Sequence, residues 1–162
     1  RRELAMSAGE IIQLANVCRD VEKDLLRRTA YDEVLRPYLD AGVAPPEVVA
    51  EVRAKILRRV AALGRVIEPY FAGLPLAGRP GARAAAAVMC GATAAFYRKA
   101  NRRLPVPVLA STPDRGRGGL AGDAIRAAWS LAGARAVFSQ AQAGFVAASL
   151  DVRPGPVECR TP

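Results

Sequence analysis

Gln13, Asn16, Asp20 and Asp24 recur at steps of three and four residues within the run GEIIQLANVCRDVEKDLLRR, residues 9–28. At helical pitch that spacing stacks the four polar side chains on one face. Ile11, Ile12, Leu14, Ala15 and Val17 lie before and among them, so the same helix carries apolar surface to bury. Two carboxylates one turn apart repel by roughly 0.2–0.5 kcal/mol in an isolated helix, and a divalent cation removes that cost. Mg²⁺ prefers oxygen ligands and is commonly held by one or two carboxylates together with phosphates and water. Arg19, Arg27 and Arg28 stand beside the row and suit charge-assisted hydrogen bonds to phosphate oxygens. The chemistry this pattern points to is a Mg²⁺–diphosphate platform on a helix. The alternative is a solvated face on which Asp20–Lys23, Asp24–Arg27 and Asp24–Arg28 neutralise one another at helical spacing. Spacing by itself leaves both readings open.

A resemblance bears on the choice. Gly9, Gln13-Leu14, Asn16, Arg19-Asp20-Val21 and Asp24 match in order a pattern of the form GxxxQLxNxxRDxxxD. This run resembles the second aspartate-rich motif of the squalene/phytoene synthase family. A fainter similarity continues through Tyr70-Phe71, Gly73-Leu74-Pro75, Arg83 and Tyr97. The resemblance implies an all-α helical bundle of the isoprenoid synthase type, of which this chain is the C-terminal part. It implies a transferase that joins two prenyl diphosphates head to head with Mg²⁺-assisted loss of diphosphate. NADPH enters only if the product is of the squalene type. On that reading Asp20 and Asp24 are the catalytic carboxylates and, with Asn16, the metal ligands. Gln13, Asn16, Arg19, Arg28 and Tyr97 bind substrate, Tyr97 by lining the prenyl cavity.

Two departures qualify the likeness. The family pattern continues as G-R-x-Y-L-P, whereas this chain reads Arg28-Thr29-Ala30-Tyr31-Asp32-Glu33. Only the tyrosine survives, and the neighbouring Arg28 is the candidate to stand in for the missing arginine. The family's first aspartate-rich motif is also missing, because no second DxxxD occurs in the chain. The partner helix is therefore expected from an N-terminal half or from another subunit. The competing reading is a degenerate, non-catalytic helical member that serves as a binding or partner subunit.

With 162 residues the chain has the length of one domain. It opens on Arg1-Arg2-Glu3 without a methionine and enters helical periodicity at once, which predicts a piece of a longer protein. Histidine is absent and the three cysteines, Cys18, Cys90 and Cys159, are widely separated. That composition rules out histidine-based triads and CxxC-type zinc sites, and it suits a reducing compartment. A net charge of +9, carried mostly by arginine, attracts diphosphate or an anionic membrane surface. No basic block exceeds two residues and no aromatics alternate with the arginines, so nucleic acid is not an expected partner. The expected location is cytoplasmic, at most peripheral to a membrane.

The supporting elements follow from periodicity and punctuation. A first helix is expected over 3–28, and a short helix or turn over 31–39 with Pro37 at a kink. A second helix starts at Pro46 and carries the apolar stripe Val49, Val52, Ile56, Val60, Leu63 and Ile67, with Arg53, Arg58, Arg59 and Arg65 facing solvent. A third, over 81–103, is rich in alanine and suited to the centre of a bundle. Residues 104–120, with three prolines and the cluster Arg115–Gly119, read as a loop. A fourth helix is expected over 122–150, with Ile125, Ala128, Trp129, Ala132 and Ala136 inward. Residues 1–151 thus form one all-α domain, and 152–162 a flexible tail.

Overall fold

Every element the periodicity demanded is a helix. In the computed structural model, which describes residues 2–72, 78–110 and 116–145 (backbone alone over 66–72 and 116–118), there is no strand among the described residues. The helices are α1 (Arg2–Leu26), α2 (Pro46–Ala72), α3 (Pro80–Asn101), α4 (Gly116–Trp129) and α5 (Leu131–Ala143), with a 3-10 helix over Glu33–Tyr38. The expected tail at 152–162 lies outside the described residues, as does the Gly73-Leu74-Pro75 segment; the Tyr70-Phe71 side chains are not described either.

α1 buries Ile11, Cys18, Val21 and Leu25, which recur at steps of seven, three and four and so share one face. It stops two residues earlier than expected. The Thr29 amide donates to the Asp24 carbonyl and the Arg28 amide to the Leu25 carbonyl, each at 2.9 Å. Arg28 itself sits at φ 59°, the left-handed conformation that reverses the chain in a Schellman ending. Asp32 then caps the 3-10 helix, its carboxylate accepting from the Val34 amide at 3.0 Å.

α2 lays most of the predicted stripe against α1: Val49, Val52, Ile56, Val60 and Leu63 are buried, joined by Leu57 and Ala61, while the Ile67 side chain lies outside the described residues. Burying each Val, Leu or Ile of this kind stabilises by roughly 1.5–3 kcal/mol. Arg59 on α2 pairs with Glu10 at 2.7 Å and Arg53 with Glu22 at 2.6 Å, so the two helices run antiparallel. α2 continues past Pro69 to Ala72. A proline one turn from a helix end forfeits a single backbone hydrogen bond, which the last turn tolerates.

α3 touches all four other α-helices and packs most extensively on α4. Its buried face is Ala87, Cys90, Ala94, Tyr97 and Ala100, mostly small side chains that let neighbours approach closely. At its end the buried Asn101 accepts from the Val108 and Leu109 amides at 2.7 and 2.9 Å and donates to the Leu109 carbonyl at 2.8 Å. One side chain thereby ties down the loop that follows.

The C-terminal helices differ from expectation in three ways. The glycine-rich cluster is not all loop, because residues 116–119 already belong to α4; packing on α3 overrides the weak helix propensity of glycine. The single long helix expected over 122–150 is two, parted at Ser130, which is extended (φ −145°, ψ 154°) and accepts from the Gly133 amide at 2.9 Å. A serine hydroxyl offers that amide a partner outside the helix, which favours a cap over a continuous rod. The inward face also falls elsewhere. Trp129 is 89% exposed and Ile125 68% exposed, while Ala127, Ala134, Val137, Phe138 and Ala141 are buried.

Candidate functional site

α1 turns its polar row away from the core. Gln13, Asn16 and Arg19 are exposed and Asp20 and Asp24 half-buried, on the side opposite Ile11, Cys18 and Leu25. The row therefore exists as a surface, with its backbone fixed by a helix whose other side is fully packed.

Asp20 is engaged by its own neighbour. Arg19 donates from Nη2 to Oδ2 at 2.6 Å and from Nε to Oδ1 at 3.1 Å, a bidentate pair. That guanidinium holds the Asp20 carboxyl below the usual carboxylate range, with Lys23 and Arg27 adding to the effect, and Arg19 is raised in turn. Asp24 faces Arg27 at 4.0 Å. The two carboxylates thus stand one turn apart, each beside a guanidinium group. Of the pairings expected for a solvated face, Asp24–Arg27 is formed, while Asp20 chooses Arg19 over Lys23.

Among the described residues no group of three acidic, cysteine or histidine side chains converges as a metal cage. A donor set of two carboxylates and a nearby amide fits a hard cation that shares its coordination with phosphate and water. It does not fit a closed structural metal site made by protein alone.

Arg28 is exposed at the C-terminal end of the row and is the one non-glycine residue with positive φ among those described. A side chain there costs on the order of 1 kcal/mol relative to glycine. The Gly78 and Gly42 backbones adopt the same conformation with residues suited to it.

Tyr97 is not brought to the row. It is fully buried and donates its hydroxyl to the Ile11 carbonyl at 2.5 Å. Phe96 and Phe145 pack edge-on against it, with ring centroids at 5.4 and 6.0 Å. Burial pushes its hydroxyl well above the ordinary tyrosine value, so it holds its proton and braces α3 to α1. Cys18 and Cys90 are core residues too, their thiols pushed up to about 11 by burial.

Arg83 has a structural place as well. It is buried on α3, and its guanidinium donates to the Ala127 and Ala128 carbonyls at the end of α4. A cation at a helix C-terminus satisfies carbonyls that have no partner within the helix and complements the dipole. Nothing in the local sequence marks Arg83 for this use, since its partners lie 44 and 45 residues away.

A separate groove of about 330 Å³ runs between α2 and the loop after α3, lined by Glu47, Glu51, Arg58, Leu104, Pro105 and Val106 among others. No residue of the α1 row lines it. No family model, no curated protein and no solved structure matches this chain.

Proposed function

We propose that the outward face of α1 is one half of a Mg²⁺–diphosphate site, in a transferase of the squalene/phytoene synthase type with an isoprenoid-synthase bundle. The observation that carries this reading is the placement of Asp20 and Asp24, one turn apart, on a face directed away from the core with Arg19 and Arg28 beside them. Gln13 and Asn16 extend the face toward the helix start. The likeness that motivates it is specific over the motif, residues 9–24, and fainter downstream. The backbone adds support at Arg28, whose left-handed conformation falls where the family pattern carries glycine.

In this reading Asp20 and Asp24 orient the ion, while Arg19 and Arg28 grip the diphosphate oxygens with charge-assisted hydrogen bonds. A bound Mg²⁺ contributes Lewis-acid stabilisation of the charge on the departing diphosphate. Arg19 exchanges its carboxylate partner for phosphate when substrate arrives. The opposing aspartate-rich helix would come from an N-terminal half or from another subunit.

A non-catalytic helical subunit is the competing reading, favoured by the bidentate Arg19–Asp20 pair, which already satisfies the leading carboxylate. Calorimetric titration of an unreactive farnesyl diphosphate analogue, with and without Mg²⁺, separates the two. The first reading expects Mg²⁺-dependent binding that Asp20→Asn/Asp24→Asn abolishes. Binding that is absent, or indifferent to both Mg²⁺ and the substitutions, assigns the row to a solvated face.

A further inference from the structure

The corner where α4 meets α5 is held rigidly by three separate devices. Arg83 caps the last carbonyls of α4 from below. Ser130 caps the first turn of α5. Gly133 lies so near α4 that a Cβ there would run into the Arg126 carbonyl oxygen, so the two helices touch backbone to backbone. What this corner presents is unusual. Trp129, the single tryptophan of the chain, is 89% exposed, and Ile125, one turn earlier, is 68% exposed. Ala121, Ala132 and Ala136 continue the exposed apolar surface on both helices.

The charges beside it have one sign. Arg126 and Arg135 are exposed there, and neither makes an ion pair among the described residues. α4 and α5 hold one carboxylate, Asp123, and it is not exposed. A second copy of the chain is a poor cover for this corner, because each copy brings a net charge of +9. The apolar groups also protrude singly from a bed of alanines, a shape that needs a soft acceptor more than a preformed pocket. Tryptophan favours the boundary between headgroups and acyl chains, and arginines nearby are drawn to anionic lipid. No described helix is long and apolar enough to cross a membrane, so such contact is at the surface.

We infer that the α4–α5 corner docks on an anionic phospholipid surface, Trp129 and Ile125 entering the interface and Arg126 and Arg135 engaging headgroups. Trp129 is its own reporter. With the full chain, phosphatidylserine-containing phosphatidylcholine vesicles should shift tryptophan emission to the blue, and bromine-labelled acyl chains should quench it. Pure phosphatidylcholine should do so far less, and added salt should reverse the effect. In flotation assays Trp129→Ala should lower the vesicle-bound fraction about tenfold, as should Arg126→Glu/Arg135→Glu, with helical content unchanged. Unshifted emission, or Trp129→Ala binding like the parent, overturns the inference. So does emission that is already blue without vesicles and reddens on dilution, which would assign the corner to a second copy.

Discussion

The two halves of the molecule solve the same packing problem with different materials. α1 and α2 meet through Ile, Val and Leu and are edged by ion pairs at the surface: Arg59–Glu10, Arg53–Glu22 and Lys55–Asp32. α3, α4 and α5 meet largely through alanine and glycine, which bury little apolar area per residue. In place of that area they carry buried polar anchors: Arg83 on the α4 carbonyls, Asn101 on the following loop and Tyr97 on α1. Large aliphatic side chains stabilise without direction. Small ones leave the helix positions underdetermined, and the directional hydrogen bonds fix them.

The comparison is broken most severely at Arg83. Arg83→Leu strips the guanidinium from the Ala127 and Ala128 carbonyls and leaves them buried without a charged donor. The expected loss is about 3 kcal/mol, measured as a shift of the urea midpoint. A loss below about 0.5 kcal/mol would show that α4 is held by apolar contact alone.

A smaller effect of opposite sign belongs to the first half. Arg28→Gly relieves a side chain at φ 59° and should stabilise by about 1 kcal/mol, read in the same unfolding experiment. If Arg28 also grips diphosphate, the same variant binds the Mg²⁺–analogue complex more weakly. A fold strengthened at the expense of a ligand is the signature expected of strain kept at a functional position.

The smallest effect sharpens the contrast through pH. The Val34 amide, with Lys55 adding to it, holds Asp32 below its ordinary value. A carboxyl depressed by folding contributes stability above its unfolded pKa, near 3.9, and that contribution is lost as pH falls through the folded value. The first half also carries the Glu10–Arg59 and Glu22–Arg53 surface pairs, whereas the Arg83 bonds to the Ala127 and Ala128 carbonyls and the Asn101 bonds are made to backbone groups. Amide exchange compared at neutral pH and in acid should therefore quicken first in α1 and α2. Equal loss of protection in both halves would mean that the surface pairs carry no separate share, as exposed pairs often do not.

What the chain determined by itself is the helical character, the α1 row and the α2 stripe. In those helices large apolar and charged residues alternate at 3.6-residue spacing, so the buried side of α1 and α2 follows from residue type alone. The α1 row shares one face for the same reason. Tertiary structure decided the rest. Alanine suits a buried or an exposed position alike, so the alanine-rich α4 and α5 sequence carries almost no periodic signal. Trp129 and Ile125 read as inward until Ser130 and Gly133 set the corner that turns them out. Tyr97 joined the core and not the α1 row because its hydroxyl found the Ile11 carbonyl, 86 residues away. Arg83 became a helix cap because α4 ends above it. Such assignments depend on which backbone groups the fold brings near, and that proximity is a property of the packed chain, not of any local run of residues.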